Sequence, residues 1–402
     1  MEEAWQHPGL RAPGPPDVPP GVALEAMSES RPDLDELISK FEEEVRRRPT
    51  PDELAAAERA AIEPGAAAEV SPPSAPFAEA PASPAEAMPV DAPPVPAAAV
   101  EAAPVDAAPL PVHPEDLDEW LAGGERVEVE LPGGRRYRVF ARVIGDGPWL
   151  TCIHGFPTSS WDWARVAPAL ARRHSLLVFD LLGFGDSDKP AGHDWSAFEQ
   201  ADIVEALWRR FGVQDTAVLA HDVGLTIALE LIARREDGNL GSRLERLVAL
   251  NGGVYAGFHK PRPIQVWLQR PIVGGLIARM LSEGRFGPAL AEVFGEEHQP
   301  TPEELHQHWE SVNRRQGSRN YHRLIRYIPE RRAQAPRWEG ALEKTTLPIR
   351  FVWGMADPVS GAHMARVIRE RRPGADLVGL AGVGHYPQLE APDRVIEEVL
   401  RA

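Results

Sequence analysis

Between residue 115 and the C-terminus, short apolar runs alternate with amphipathic stretches. Arg126 to Leu131 and Arg136 to Val143 alternate polar and apolar positions on either side of Pro132-Gly133-Gly134, the pattern of a β-hairpin. Trp149–Ile153, Ser175–Asp180, Thr216–Ala220, Leu244–Leu250, Ile349–Trp353 and Asp376–Leu380 read as buried strands. Helical patterns separate them: one running through Arg173, one over 195–211, one from Leu225 to Arg235, and others over 361–371 and 394–402. Strands alternating with helices predict an α/β fold with a doubly wound, mainly parallel sheet. The alternation stops after Asn251, and residues 253–347 are richer in helical patterns, aromatics and prolines. The expected organisation is a core over 115–252 and 348–402, with 253–347 inserted as a helical cap over the carboxyl ends of the strands, where open sheets bind ligands.

Residues 1–114 do not share this pattern. They hold more than half of the 41 prolines, with alanine and glutamate supplying much of the rest. Such a stretch buries too little apolar surface to offset its ordering entropy and is expected to be disordered. Two short helices are expected within it. One spans 33–47, with Leu34, Leu37, Ile38, Phe41 and Val45 on one face, and the other is capped by Thr50 ahead of Pro51. A docking role for an unknown partner is one reading of these helices, and a transient helix with no role is the other.

The formal net charge of −17 argues against a nucleic-acid binder. No run of roughly 20 apolar residues occurs, so no transmembrane segment is expected. The start MEEAWQHPGL lacks the basic and apolar regions of a secretory signal. Cys152 is the only cysteine and lies in an apolar run, which predicts a buried core residue and excludes an intrachain disulfide. A cytoplasmic location fits these features. Neither a cofactor nor a metal is expected.

The chemistry concentrates in loops that follow strands. In AVLAHDVGLTIAL (217–229), a buried strand meets a helix through a sharp turn with small residues at Ala220 and Gly224. This is the form of a nucleophile elbow, with Asp222 in the place usually held by serine. Asp357 follows the strand 349–353 in WGMADP, and His385 follows 376–380 in GVGHYPQLE. Asp222, Asp357 and His385 therefore occur in the order nucleophile, acid, histidine. HGFP (154–157) follows another strand, and the backbone N–H groups of Phe156 and Val223 are candidates for an oxyanion hole. His221, Asp180 and Asp186 are expected to serve structure.

From residue 115 onward the chain resembles the α/β-hydrolase superfamily. Within it, the chain is most similar to the aspartate-nucleophile branch of epoxide hydrolases and haloalkane dehalogenases. HGFPTSSWDW, FDLLGFGDSDKP, LAHDVG, WGMADP and GHYPQLE carry the likeness. GFGDSDKP, FEQADIVEALW and ALNGGVY bring it closer to the mesoderm-specific transcript homologues. The resemblance implies hydrolysis of a small apolar substrate by water, through an ester on Asp222. It also implies a proton-donating tyrosine from the cap, for which Tyr321 and Tyr327 are the candidates. Epoxide hydrolysis is the expected activity and haloalkane dehalogenation the alternative. Val223 and Phe156 stand where dehalogenases carry halide-binding side chains, leaving Trp267 and Trp309 as possible substitutes. A weakly active hydrolase-fold binding or scaffold protein is the alternative of another class. Residues 272–281 (IVGGLIARML) are expected to line a substrate tunnel, with contact to a membrane surface as the alternative.

Overall fold

A computed structural model describes residues 116–402. The Pro/Ala/Glu-rich stretch and its two expected helices lie outside the described residues. Eight strands form one sheet in the order β1-β2-β4-β3-β5-β6-β7-β8. They are β1 (Glu125–Glu130), β2 (Arg136–Ile144), β3 (Trp149–Ile153), β4 (Ser175–Phe179), β5 (Asp215–Ala220), β6 (Arg243–Leu250), β7 (Ile349–Gly354) and β8 (Asp376–Leu380). β1 and β2 form the expected hairpin, and β2 meets β4 antiparallel. Every other pairing is parallel. The chain leaves β3 for β4 on one side and later reaches β5 on the other. The loops after β3 and β5 therefore emerge side by side at the sheet's carboxyl edge, with Ile153 opposite Ala220 in register.

Helices cover both faces. After a short helix α1 (Leu117–Ala122), α2 (Ala167–Leu170) and α3 (Ala197–Phe211) follow, and α4 (Val223–Glu236) runs straight out of the elbow. Ser196 caps α3 by accepting from Glu199 N–H, and Gly212 ends it in the left-handed region at φ 70°. Every residue of α4 from Val223 to Ala233 is buried, so the elbow is anchored by an enclosed helix. The helix expected to run on to Arg173 is instead a 3₁₀ turn (Ser160–Trp163) followed by the single turn of α2. Pro168 is the physical reason: it has no N–H to continue a preceding helix but is well suited to starting a new one. Leu150, Cys152, Leu176, Val178, Leu219 and Val248 pack in one apolar cluster with Val395 and Val399 of the C-terminal helix. Cys152 is 1% exposed, as its apolar surroundings predict.

Seven α-helices lie between β6 and β7 among the described residues: α5 (Pro263–Leu268), α6 (Val273–Met280), α7 (Glu283–Ala291), α8 (Pro302–Asn313), α9 (Tyr321–Leu324), α10 (Tyr327–Ala333) and α11 (Ala335–Lys344). They fold back over the strand ends. The Ser311 and Ser159 hydroxyls share a hydrogen bond, the Tyr321 hydroxyl donates to Pro157 O, and Arg331 donates to Thr226 on α4. α12 (Ala362–Arg371), α13 (Pro387–Glu390) and α14 (Pro392–Arg401) complete the fold. No helix among the described residues is long and apolar enough to cross a membrane.

Candidate active site

Asp222 sits where β5 turns into α4, at φ 48° and ψ −111°. A non-glycine residue in that region carries about 1–3 kcal/mol of strain, held in place by its surroundings. Asp222 N–H donates to Asn251 O at 2.8 Å, and His221 N–H donates to Ile153 O at 3.0 Å, so both neighbouring strand ends clamp the turn. Gly224 permits the close approach. A Cβ there would lie 2.2 Å from Ile153 O.

Two loops bring partners to the carboxylate. Phe156 N–H, in the loop after β3, donates to Asp222 Oδ1 at 2.9 Å. His385 Nε2 faces Asp222 Oδ2 at 3.7 Å, and its Nδ1 is 2.8 Å from Asp357 Oδ2. Val223 opens α4, so its N–H is among the first-turn amides that no helical carbonyl satisfies. The structure thus brings Asp222, Asp357, His385, Phe156 and Val223 to one point.

All three titratable groups are buried, and burial opposes their charged forms. Burial pushes the Asp222 carboxyl up, but the His385 imidazolium outweighs it and holds Asp222 below the usual carboxylate range. Asp357 is likewise held low against burial by the charge and hydrogen bond of His385, helped by Ser360 and Val359 N–H. Burial pulls His385 down, and the two carboxylates overcome this to raise it to about 10. Near neutral pH the site rests as two carboxylates around an imidazolium.

A sequence profile of the α/β hydrolase family matches residues 152–398. The chain belongs to the α/β-hydrolase family. It is 39% identical over 283 residues to the putative hydrolase LipZ of Mycobacterium tuberculosis, covering 70% of this chain and 96% of that one. It is 35% identical over 263 residues to the human mesoderm-specific transcript homolog protein, covering 64% and 78%. Among solved structures, a loop variant of the haloalkane dehalogenase DbeA from Bradyrhizobium elkanii superposes with a TM-score of 0.57. The overlap covers 69% of this chain and 95% of that one at 22% identity, a likeness of fold. The protein is a hydrolase of this fold.

A cavity of about 90 Å³ opens onto His385 in this hydrolase. Phe156, Tyr321 and Tyr386 line it beside apolar side chains of the insertion, including Ile277 and Ala278 of the stretch expected to form a tunnel. Ile272, at the start of that stretch, is 89% exposed. The two candidate tyrosines differ. The Tyr321 hydroxyl donates to Pro157 O at 2.7 Å, tying α9 to the HGFP loop. The Tyr327 hydroxyl is buried without a hydrogen-bond partner. Burial and the nearby Asp222 charge raise its pKa, while Arg331 opposes them. Trp267 is buried beneath Arg270 and Trp309 packs against Phe286, and neither lines the cavity.

His221, just before the elbow, is held through one ring nitrogen, and its Nδ1 has no hydrogen-bond partner. Its Nε2 lies 2.7 Å from His385 O, and burial lowers its pKa to about 3, so it stays neutral. Asp180 organises loops by accepting from Ser160 N–H and Asp186 N–H. Asp186 does more than shape a turn. It pairs with Arg314 at 3.3 Å and Arg315 at 3.5 Å, joining the loop after β4 to the insertion.

Four contributors escape a reading of the sequence. Asn251 donates to Asp357 Oδ2 at 2.9 Å and exchanges hydrogen bonds with Gly354. Glu390 accepts from Gly295, Gly384 and Tyr386 N–H, fixing the backbone on both sides of His385. Arg331 and His259 are buried near the carboxylates with unpartnered nitrogens. The closing glutamate of GHYPQLE was the one available signal; asparagine after a strand and arginine on a short helix are common in any protein.

Proposed function

We propose that this hydrolase opens epoxides by attack of Asp222 on a saturated carbon, followed by hydrolysis of the resulting alkyl-enzyme ester. The observation that carries the reading is the carboxylate itself. Oδ1 is held by Phe156 N–H, and Oδ2 faces His385 Nε2 across 3.7 Å. A carboxylate attacking an ester would form a higher-energy anhydride, whereas attack on an sp3 carbon forms an ordinary ester.

In the first step Asp222 Oδ2 bonds to an epoxide carbon and the C–O pair moves to the ring oxygen. That oxygen needs a proton. Tyr327 supplies it, because the Tyr321 proton is already committed to Pro157 O. Esterification then removes one of the two carboxylates that hold the His385 proton. The imidazolium releases that proton, which restores the phenol, and His385 becomes a base. His385 next deprotonates a water oriented toward the Asp222 carboxyl carbon. The oxyanion forms on Oδ1, where the N–H groups of Phe156 and Val223 receive it. Collapse returns the carboxylate, the imidazolium and a diol.

Support for epoxides over halides comes from the insertion. None of Trp267, Trp309 and Tyr327 lines the cavity at His385. Of the three, Tyr327 alone lines the smaller cavity beside Val223, one residue past Asp222, with its ring 6.0 Å from Phe156 and its hydroxyl unpartnered. His385→Gln should trap the ester. Intact-protein mass spectrometry after exposure to a mixed panel of epoxides and haloalkanes should then show addition of a whole epoxide mass. The adduct should vanish when Asp222→Ala is added. Absence of any adduct, or its persistence without Asp222, would overturn the mechanism.

A further inference from the structure

Arg331 is a buried cation without a counter-ion in contact. It is 3% exposed and projects from α10 toward the elbow helix. Its Nε and Nη2 both donate to the Thr226 hydroxyl, at 2.9 and 2.6 Å, and Nη1 has no partner. No carboxylate lies within ion-pair distance of it among the described residues. Burying a guanidinium on one neutral hydroxyl costs several kcal/mol that ordinary packing does not return.

Most of its surroundings are parts of the site. The guanidinium carbon stands 5.0 Å from the centroid of the Tyr327 ring. Nη1 lies against Gly253, where a Cβ would fall 1.7 Å from it, and the adjacent Gly252 packs against the Asp222 backbone. Thr226 is four residues beyond Asp222 on α4. A small cavity of about 20 Å³ joins Val223 to Tyr327. Burial lowers the Arg331 pKa, and the Tyr327, Asp222 and Glu339 charges oppose that.

We infer that Arg331 is a positioning residue for proton donation: a fixed counter-charge shared by Asp222 and Tyr327, between which negative charge passes when the ring opens. The inference rests on the covalent reading above. At rest, Asp222, Asp357, the His385 imidazolium and Arg331 sum to zero charge. When Oδ2 bonds to carbon, the Asp222 charge leaves with the C–O electron pair. The ring oxygen takes the phenolic proton, and the charge settles on the Tyr327 oxygen. Arg331 lies over the Tyr327 ring and against the Gly253 backbone beside the elbow, so the sum remains zero and the buried anion keeps a cation nearby. The proton lost from His385 then returns to Tyr327, leaving a neutral base beside the ester.

A double-mutant cycle in the His385→Gln background tests this, with the rate of adduct formation from a terminal alkyl epoxide read by mass spectrometry. A general acid contributes about 100-fold or more, so Tyr327→Phe should slow alkylation by about that factor. Arg331→Met should slow it by tens of fold, and Arg331→Lys, which keeps the charge, should recover most of the loss. In the Tyr327→Phe background, Arg331→Met should cost less than threefold, because no phenolate remains to be stabilised. A full loss in that background, or equal losses for Lys and Met, would overturn the assignment. Arg331→Lys keeps the test readable if Arg331→Met fails to fold. Failure of the parent His385→Gln protein to form any adduct would instead remove the covalent reading itself, and this inference with it.

Discussion

Asp222→Asn isolates the event on which the proposed cycle turns. The asparagine is isosteric with the carboxylate and, like the alkyl ester, carries no charge. It removes a unit charge 3.7 Å from His385 Nε2. At an effective dielectric of about 20 that charge is worth about 332/(20 × 3.7), or about 4.5 kcal/mol, which is about 3 pKa units. His385 stands raised to about 10 with both carboxylates in place. It should therefore titrate near pH 7 in the variant, where the Asp357 contact still opposes burial. NMR titration of ¹⁵N-labelled imidazoles, with the signal assigned through His385→Gln, gives both values directly. The same shift governs stability. A histidine whose folded pKa is raised contributes stability that is complete below the unfolded value of about 6.5 and is lost as pH rises toward the folded value. The parent should thus lose stability as pH rises from about 6.5 toward 10, and Asp222→Asn should lose much less over that window. A His385 shift below about one unit would refute the idea that esterification of Asp222 turns an acid into a base.

Two further outcomes follow from the supports of the site. Glu390→Ala leaves three backbone N–H groups without their acceptor. At about 1–3 kcal/mol for each unsatisfied buried donor, relaxation included, urea denaturation should show a loss of about 3–6 kcal/mol; a loss under about 1 kcal/mol would mean that water replaces the carboxylate. A chain beginning near residue 111 should keep its melting temperature and its rate of adduct formation. Unfolding of that shortened chain would place the boundary of the folded unit earlier than Glu115.

The strands and the loop positions of Asp222, Asp357 and His385 were legible because each rests on a local pattern. An apolar run ends, a loop begins, and the polar residue stands within a few positions of the strand end. The break at Pro168 is equally local, because a proline has no N–H to continue a helix that precedes it. Other features of the site depend on relations that no local pattern records. Tyr321 and Tyr327 lie six residues apart in similar basic, apolar surroundings. They differ in one hydrogen bond, to Pro157 O from a loop more than 160 residues earlier, and in the cavity each lines. Arg331 sits in RYIPERR, which reads as a charged surface helix, and Arg332 beside it fits that reading. What separates Arg331 is the bare backbone at Gly253 that lets its Nη1 come to rest beside the elbow. A sequence records that a charge is present. Whether that charge is desolvated, and against what, is decided by residues far along the chain. A buried arginine hydrogen-bonded only to Thr226 gives up solvation that a surface arginine keeps. The Tyr327 ring and the Asp222 and Glu339 charges return part of it at rest, and the proposed role places the remainder in a state the resting site does not display. The transfer of charge from Asp222 to Tyr327 is such a state.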